Sequence, residues 1–138
     1  MLKLLDWSCT IKLDMIDFDN YLKGLLKQIF ESYQLLTNLE DKTGDLEIIK
    51  KELAKIKGLL HVIINKLNFI DNNSNDYVEL LSASDVYIKN YDFFREIDTM
   101  SKLYSDDTHR LQNIRQTIID SFNDDRLIEK IESLMEKL

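Results

Sequence analysis

Residues 45–71 read DLEIIKKELAKIKGLLHVIINKLNFID, and the expected fold follows from them. Their apolar residues recur at alternating steps of three and four, the heptad pattern of a helix that packs one face against other helices. The eight residues of this heptad seam are Leu46, Ile49, Leu53, Ile56, Leu60, Ile63, Leu67 and Ile70. Further apolar residues flank the seam, which favours burial against two or more neighbours. We therefore predict a long second helix over 45–71 as the backbone of a helical bundle.

The composition of the whole chain agrees with a helical fold. The chain has 138 residues, no proline and three glycines, so it lacks the turn residues that an all-β sandwich or barrel requires. Hydrophobic residues make up 44% and charged residues 31%, which is typical of a folded domain and argues against a disordered or membrane-embedded chain. Because one core usually serves a chain of this length, we expect residues 1–138 to form a single helical-bundle domain.

Apolar residues recur at helical spacing outside the second helix as well. They predict helices over 15–38, 84–104, 108–122 and 124–138. The last two are either separate helices or one interrupted helix. Ser82 and Asp85 resemble a capping box before the helix at 84–104. Asp106 and Asp107 are suited to cap the helix that follows them. The expected architecture is all-α, a four- to five-helix bundle.

The N-terminal residues show a different pattern. Between residues 5 and 15, apolar and polar side chains alternate strictly, as they do in a half-buried β-strand. No second segment alternates as well, and an isolated strand leaves its backbone groups unpaired. We therefore expect residues 1–14 to be either an extended arm packed across the helices or a strand. A strand would pair with a second copy of the chain, with another protein, or with the weaker stretches at 77–81 and 86–91.

The heptad seam has two interpretations. It is buried within one chain as the core of a bundle, or it is shared between chains as a coiled coil, in which case helix 2 mediates a homodimer. Aromatic residues of the third helix are a second candidate surface, because tyrosine is enriched at protein interfaces. The candidate partner-binding residues are Ile49, Leu53, Ile56, Leu60, Ile63, Tyr87 and Tyr91.

The sequence offers no constellation that points to catalysis or to a cofactor. His61 has no carboxylate or second histidine at ligand spacing on its helix. Asp106 and His109 form one Asp-x-x-His pair, whereas a di-metal bundle uses two such pairs with further carboxylates. No phosphate-binding loop, dinucleotide fingerprint, nucleophile elbow or zinc spacing occurs in the sequence. We expect a chain that is not an enzyme and that has no catalytic, metal or cofactor site.

The charge is unevenly distributed along the chain. The net charge is −7, yet residues 42–66 carry six basic and three acidic groups. Most of this excess lies in one basic stretch, which contains Lys50, Lys51, Lys55 and Lys57. Such a stretch is suited to bind nucleic acid or an acidic partner, or to pair with the acidic helices of the same chain. The acidic excess elsewhere disfavours nucleic acid, so we expect pairing within the chain.

These observations favour a non-catalytic protein-interaction module, a small acidic binding or inhibitory protein of the immunity, antitoxin, viral-inhibitor or chaperone type. The alternative functions are a homo-oligomeric assembly subunit that pairs through helix 2 or residues 5–15, and a helical nucleic-acid-binding subunit. Cys9 is the single cysteine and cannot form an intramolecular disulfide, and the first residues do not resemble a signal peptide. We expect a cytoplasmic protein without a membrane partner.

Overall fold

The computed structural model describes the backbone of residues 3–70 and 74–138, and the side chains of 17–70 and 74–138. Within these ranges the chain forms α-helices and no β-strand, so the prediction of an all-α helical bundle is confirmed. The bundle has six helices in the described ranges, where four or five were expected. They are α1 (Lys3–Asn38), α2 (Asp45–Phe69), α3 (Asn75–Asn90), α4 (Phe94–Leu103), α5 (Thr108–Asp124) and α6 (Leu127–Lys137).

The first helix begins earlier than the sequence pattern predicts. The backbone of residues 3–16 is helical and continuous with the rest of α1, so the prediction of an extended arm or strand over 1–14 is wrong from Lys3 onward. A helix satisfies its backbone hydrogen bonds within one segment, whereas a strand needs a second strand beside it. Apolar residues on alternate positions are therefore compatible with a helix when no other segment is available for pairing. The predicted pairing of two copies through residues 5–15 concerns side chains outside those described.

The second helix starts where the sequence places its start. Gly44 precedes it with φ of 96°, a left-handed conformation that glycine adopts without steric cost. The Asp45 carboxylate accepts a hydrogen bond from the backbone N–H of Lys42 at 2.9 Å, which closes the turn before the helix. The helix ends at Phe69, two residues before the predicted end.

The predicted helix over 84–104 is in fact two helices, and the proposed capping box is wrong. Ser82 and Asp85 both lie inside α3, which begins at Asn75. The chain leaves the helical conformation at 91–93, and α4 then begins at Phe94. This break has no proline or glycine to signal it, and Lys57 of α2 contacts residues on both of its sides.

The last two helices are separate. Asp107 caps α5, because its side chain accepts a hydrogen bond from the backbone N–H of Arg110 at 3.0 Å, as expected for this aspartate. Between α5 and α6, Arg126 has φ of 58°, a left-handed conformation that ends one helix and redirects the chain into the next. The last helix accordingly starts at Leu127, whereas the sequence pattern placed its start at 124.

The core lies between the long α1–α2 hairpin and the shorter helices that cover one side of it. The hairpin contributes nearly half of the buried apolar side chains in the described ranges, and α3, α4, α5 and α6 supply the others. Aromatic rings form a connected cluster near its centre, where Tyr87 stacks on Phe122 with 4.7 Å between ring centroids. Tyr33 meets the same Phe122 ring edge-on at 5.9 Å, so this cluster joins α1, α3 and α5.

Arg115 of α5 ties the α1–α2 connection to the rest of the bundle. Its guanidinium donates to both carboxylate oxygens of Asp41, with N···O distances of 2.6 and 3.0 Å. A third donor of the same side chain reaches the backbone carbonyl of Leu36 at 3.1 Å. This carbonyl belongs to the last turn of α1, where helical carbonyls lack partners within the helix. Arg115 therefore caps α1 and fixes the following loop at once.

In the part of the chain that the structure describes, no helix is both long enough and apolar enough to span a lipid bilayer.

Candidate partner-binding site

A groove opens between α4 and α5. Its volume is about 640 Å³, which is within the usual range of binding pockets. The apolar part of its lining consists of Phe93, Met100, Tyr104 and Ile114. The two helix walls also present small polar side chains, Thr99 from α4 and Asn113 and Thr117 from α5.

One end of the groove is fixed by a stacked pair. The guanidinium carbon of Arg110 lies 3.7 Å from the ring centroid of Tyr104, and the same guanidinium pairs with Asp107 at 3.2 Å. A cation over an aromatic face holds both side chains in place. The corner between α4 and α5 is therefore an ordered wall, although both side chains are exposed to solvent.

The α4 side of the groove carries the groups that are free to bind. Arg95 lines the groove, and its guanidinium has no ion-pair or hydrogen-bond partner among the side chains described in 17–70 and 74–138. Leu103, one turn beyond Thr99 on α4, has 69% of its surface exposed. The groove thus combines an apolar floor, an exposed leucine beside it, and two charged side chains, Arg95 and Glu96, that make no ion pair within the described ranges.

The structure places the predicted seam residues inside the chain. Ile49, Leu53, Ile56, Leu60 and Ile63 are all fully buried in the core of a single chain. The intramolecular interpretation therefore accounts for the heptad seam. Their assignment as partner-binding residues stays a prediction, and it now requires the bundle to open before a partner reaches them.

The two tyrosines named as partner-binding candidates lie in the aromatic cluster. Tyr87 is buried and shares a hydrogen bond of 3.0 Å with the hydroxyl of Ser121. Burial raises the pKa of the Tyr87 hydroxyl well above its ordinary value. Tyr91 is half-buried, and its hydroxyl donates to the Asp124 carboxylate at 2.7 Å, a hydrogen bond that raises the Tyr91 pKa. Tyr91 is therefore only partly open to a partner in this arrangement.

The basic stretch of α2 is divided by the fold. Lys50 pairs with Asp98 of α4 at 3.6 Å, and Lys57 donates to the backbone carbonyl of Tyr91 at 3.1 Å. The expected pairing within the chain is therefore observed for these two lysines. Lys51 and Lys55 are exposed and make no ion pair within the described ranges.

The histidines do not converge on a metal site. His61 and His109 are both exposed. Among the residues whose placement is described, no three His, Cys, Asp or Glu side chains lie close enough together to hold a metal ion.

The α4–α5 groove is not recognisable in the sequence. Its walls become adjacent only because residues 104–107 turn the chain between two short helices. One signal of this surface was present in the sequence. Leu103 and Tyr104 are adjacent at the end of a helix, so their side chains point in different directions, and at most one of them can face the core. Comparison of the chain with protein-family models, with curated proteins and with solved structures finds no match in any of the three.

Proposed function

We propose that this chain is a non-catalytic protein-interaction module whose α4–α5 groove receives an amphipathic helical segment of a different protein. The observation that carries the proposal is an open apolar groove beside an arginine, Arg95, that finds no partner in the described part of its own chain. Two helix walls with an apolar floor suit the recognition mode in which a partner helix lies in a groove. The proposal fits a small binding or inhibitory protein.

The groove also indicates the chemistry of the partner segment. Its floor of Phe93, Met100 and Ile114 requires apolar side chains at helical spacing, because only their burial offsets the loss of water from these surfaces. At the rim, the free guanidinium of Arg95 favours a carboxylate, with which it can form two parallel hydrogen bonds. The expected partner segment is therefore apolar on one side and has Asp or Glu at the edge that meets Arg95, away from Glu96 of the same groove.

A selection from helical peptides tests this function. The library presents apolar residues on one face and either acidic or basic residues at its edge, and it is selected on the intact chain. We expect acidic-edged peptides to be enriched. Thr99→Arg should fill the groove and weaken their binding by at least about tenfold, an energy of about 1.4 kcal/mol. Ser133→Arg, a similar change on the exposed face of α6, is the matched control and should leave binding unchanged.

A reversal of charge at the rim makes the test specific. Arg95→Glu should reduce the affinity of acidic-edged peptides and favour basic-edged ones, because like charges then face each other. The proposal fails if acidic-edged peptides are not enriched. It also fails if the enriched peptides bind the Thr99→Arg and Ser133→Arg variants equally well.

Two other functions were expected as alternatives. Self-assembly is supported by a separate surface, the outer side of the α1–α2 hairpin. Nucleic-acid binding is supported less well, because Lys50 and Lys57 are engaged by α4 and the preceding turn. We do not propose it.

A further inference from the structure

The outer side of the α1–α2 hairpin carries a row of apolar side chains that the core does not use. Tyr21 and Leu35 are exposed on α1, two heptads apart. Ile48 and Phe69 are exposed on α2, three heptads apart, and the half-buried Val62 lies at the same heptad position between them. We call these five residues the outer stripe. A spacing of seven keeps side chains on one face of a helix, so each helix contributes one row. Gln28 interrupts the apolar row of α1, and Lys55 interrupts the apolar row of α2.

The two rows lie side by side. Lys66 places its ammonium 6.0 Å from the ring centroid of Tyr21, across the junction of α1 and α2. Lys66 follows Val62 by one helical turn, so this contact brings the α2 row beside the α1 row. Four of the seven large hydrophobic side chains that are exposed in the described ranges belong to the outer stripe, and Phe69 is 89% exposed. Scattered surface hydrophobics are ordinary, but an aligned row is typical of an interface.

Exposed charged residues lie beside or within the outer stripe, with opposite signs on its two helices. On α1, Asp17 and Glu31 are exposed, and on α2, Lys51 and Lys55 are exposed. None of the four has an ion-pair partner within residues 17–70 and 74–138. The charges next to the apolar rows are therefore acidic on α1 and basic on α2, while exposed Lys27 and Glu47 lie one row farther from the stripe.

We propose that a second copy of this chain packs on the outer stripe about a two-fold axis parallel to the hairpin. Such an axis turns the surface onto itself, so α1 of each copy faces α2 of the other. The acidic residues on α1 of one copy then meet the basic residues on α2 of the second, and the two apolar rows cover each other. A different protein would need a surface with an apolar row and with charges opposite to those on α1 and α2. A second copy of the chain presents such a surface by symmetry.

The heights of residues along the two helix axes identify the ion pair at the centre of the proposed dimer. Because Lys66 lies beside Tyr21 and the helices run antiparallel, Glu31 lies at the level of Ile56. A two-fold axis parallel to the helices preserves this level between the copies. Glu31 of one copy therefore faces Lys55 of the other, because Lys55 is the neighbour of Ile56. The two-fold symmetry produces two such ion pairs in each dimer. This inference is independent of the α4–α5 groove and of the function proposed for it.

The test is the mass of the purified chain in solution, measured by sedimentation velocity over a range of concentrations. We expect a species of twice 16.3 kDa for the unmodified chain. Leu35→Arg should raise the dissociation constant of this species at least about tenfold, because it buries a charge in an apolar row. Leu103→Arg is the matched control. It changes an exposed leucine beside the α4–α5 groove and should leave the mass unchanged.

Exchanging the charges of Glu31 and Lys55 distinguishes the proposed dimer from dimers with another geometry. Glu31→Lys alone and Lys55→Glu alone should each weaken the dimer by roughly tenfold, because like charges then meet across the axis. The double variant should restore it, because both members of each pair have changed sign. Circular dichroism checks that each variant remains helical. A chain that is monomeric at all concentrations overturns the proposal, as does a dimer that Leu35→Arg or the single charge reversals leave unchanged.

Discussion

Arg115 joins the end of α1, the loop after it and α5 through one side chain. Its side chain is 12% exposed, and that of Asp41 is 15% exposed, so water screens the pair only weakly. The hydrogen bonds to Asp41 raise the pKa of Arg115 from an already high value, so the guanidinium stays charged at any pH where the protein is folded. Removing one partner of such a pair lowers the stability of the fold strongly, because the other charge is then left partly buried and unpaired.

We expect Arg115→Ala to lower the free energy of unfolding by about 3 kcal/mol, measured by urea denaturation. Arg115→Lys should lose a smaller amount, because an ammonium keeps the charge but not the paired donors. Arg110→Ala, which removes an exposed ion pair from the same helix, should cost less than about 1 kcal/mol. The double variant with Asp41→Asn measures the coupling of the two side chains. Equal losses for Arg115→Ala and Arg110→Ala would contradict this role.

Tyr87 makes the stability of the fold depend on pH in the alkaline range. Its pKa is raised in the folded chain by burial, whereas in the unfolded chain it titrates near its ordinary value of about 10. Its contribution to stability is therefore complete below about pH 10 and is lost progressively as the pH rises toward the folded-state pKa. The unfolded chain releases a proton that the folded chain retains, so alkali favours unfolding.

The variant Tyr87→Phe tests this dependence. Above about pH 10, unfolding of the unmodified chain should become easier by up to about 1.4 kcal/mol per pH unit relative to the variant. Urea denaturation at several alkaline pH values, with tyrosinate absorbance as a second signal, measures the difference. Tyr104→Phe changes an exposed tyrosine and should leave the pH dependence as it is. Parallel pH profiles for Tyr87→Phe and the unmodified chain would show that Tyr87 is not the group responsible.

The sequence identified Tyr87 and Tyr91 as notable residues but not their surroundings. Tyrosine side chains occur both in protein cores and at protein interfaces, and the position of a tyrosine on a helix does not predict which of the two it belongs to. Tyr87 is buried because its ring meets Phe122, which is distant in sequence. Only the tertiary contact determines that this tyrosine lies in the core.

At the level of elements, the break between α3 and α4 shows how a contact distant in sequence overrides a local pattern. Lys57 of α2 donates to the carbonyl of Tyr91, and its ammonium lies 5.2 Å from the ring centroid of Phe94. Asp92 adds a carboxylate 3.9 Å from the same ammonium. One half-buried lysine thus binds both sides of the break, which the helical periodicity of residues 84–104 does not reveal. Helix propensity is a weak constraint where tertiary contacts of this kind exist.

We expect Lys57→Ala to loosen α4 while leaving the other helices in place. The loss of a charge-assisted hydrogen bond of about 1–2 kcal/mol should speed amide exchange over 94–103 by roughly 5–30-fold. Hydrogen–deuterium exchange with peptide resolution measures this effect. Lys23→Ala, at an exposed lysine of α1, is the control and should leave α4 unchanged. Unchanged exchange in α4 of the Lys57→Ala variant would mean that other contacts hold the break.

At the level of the whole molecule, the predictable part was the hairpin, and the unpredictable part was the arrangement of the short helices. The heptad seam of α2 specifies a buried face, because an apolar row of eight residues has no stable exposed alternative. The groove between α4 and α5 is a property of two helices in contact, and neither sequence segment contains it. The α2 part of the outer stripe was visible in the sequence only as apolar residues that flank the seam, such as Ile48 and Val62. Only the structure shows that the seam is buried whereas Ile48 is exposed.

Because the seam is internal, a charge placed in it should unfold the chain and not merely dissociate an oligomer. Ile56 and Ile63 are fully buried at the centre of α2, and an aspartate there is a charge without a partner in the core. We expect Ile56→Asp to remove more than about 4 kcal/mol of stability, a large part of what a domain of this size has. Helicity measured by circular dichroism should then fall together with the compactness measured by sedimentation. Ala54→Asp introduces the same residue on the exposed side of α2 and controls for its low helix propensity. If Ile56→Asp kept full helicity and only halved the mass, the seam would instead belong to an interface between chains.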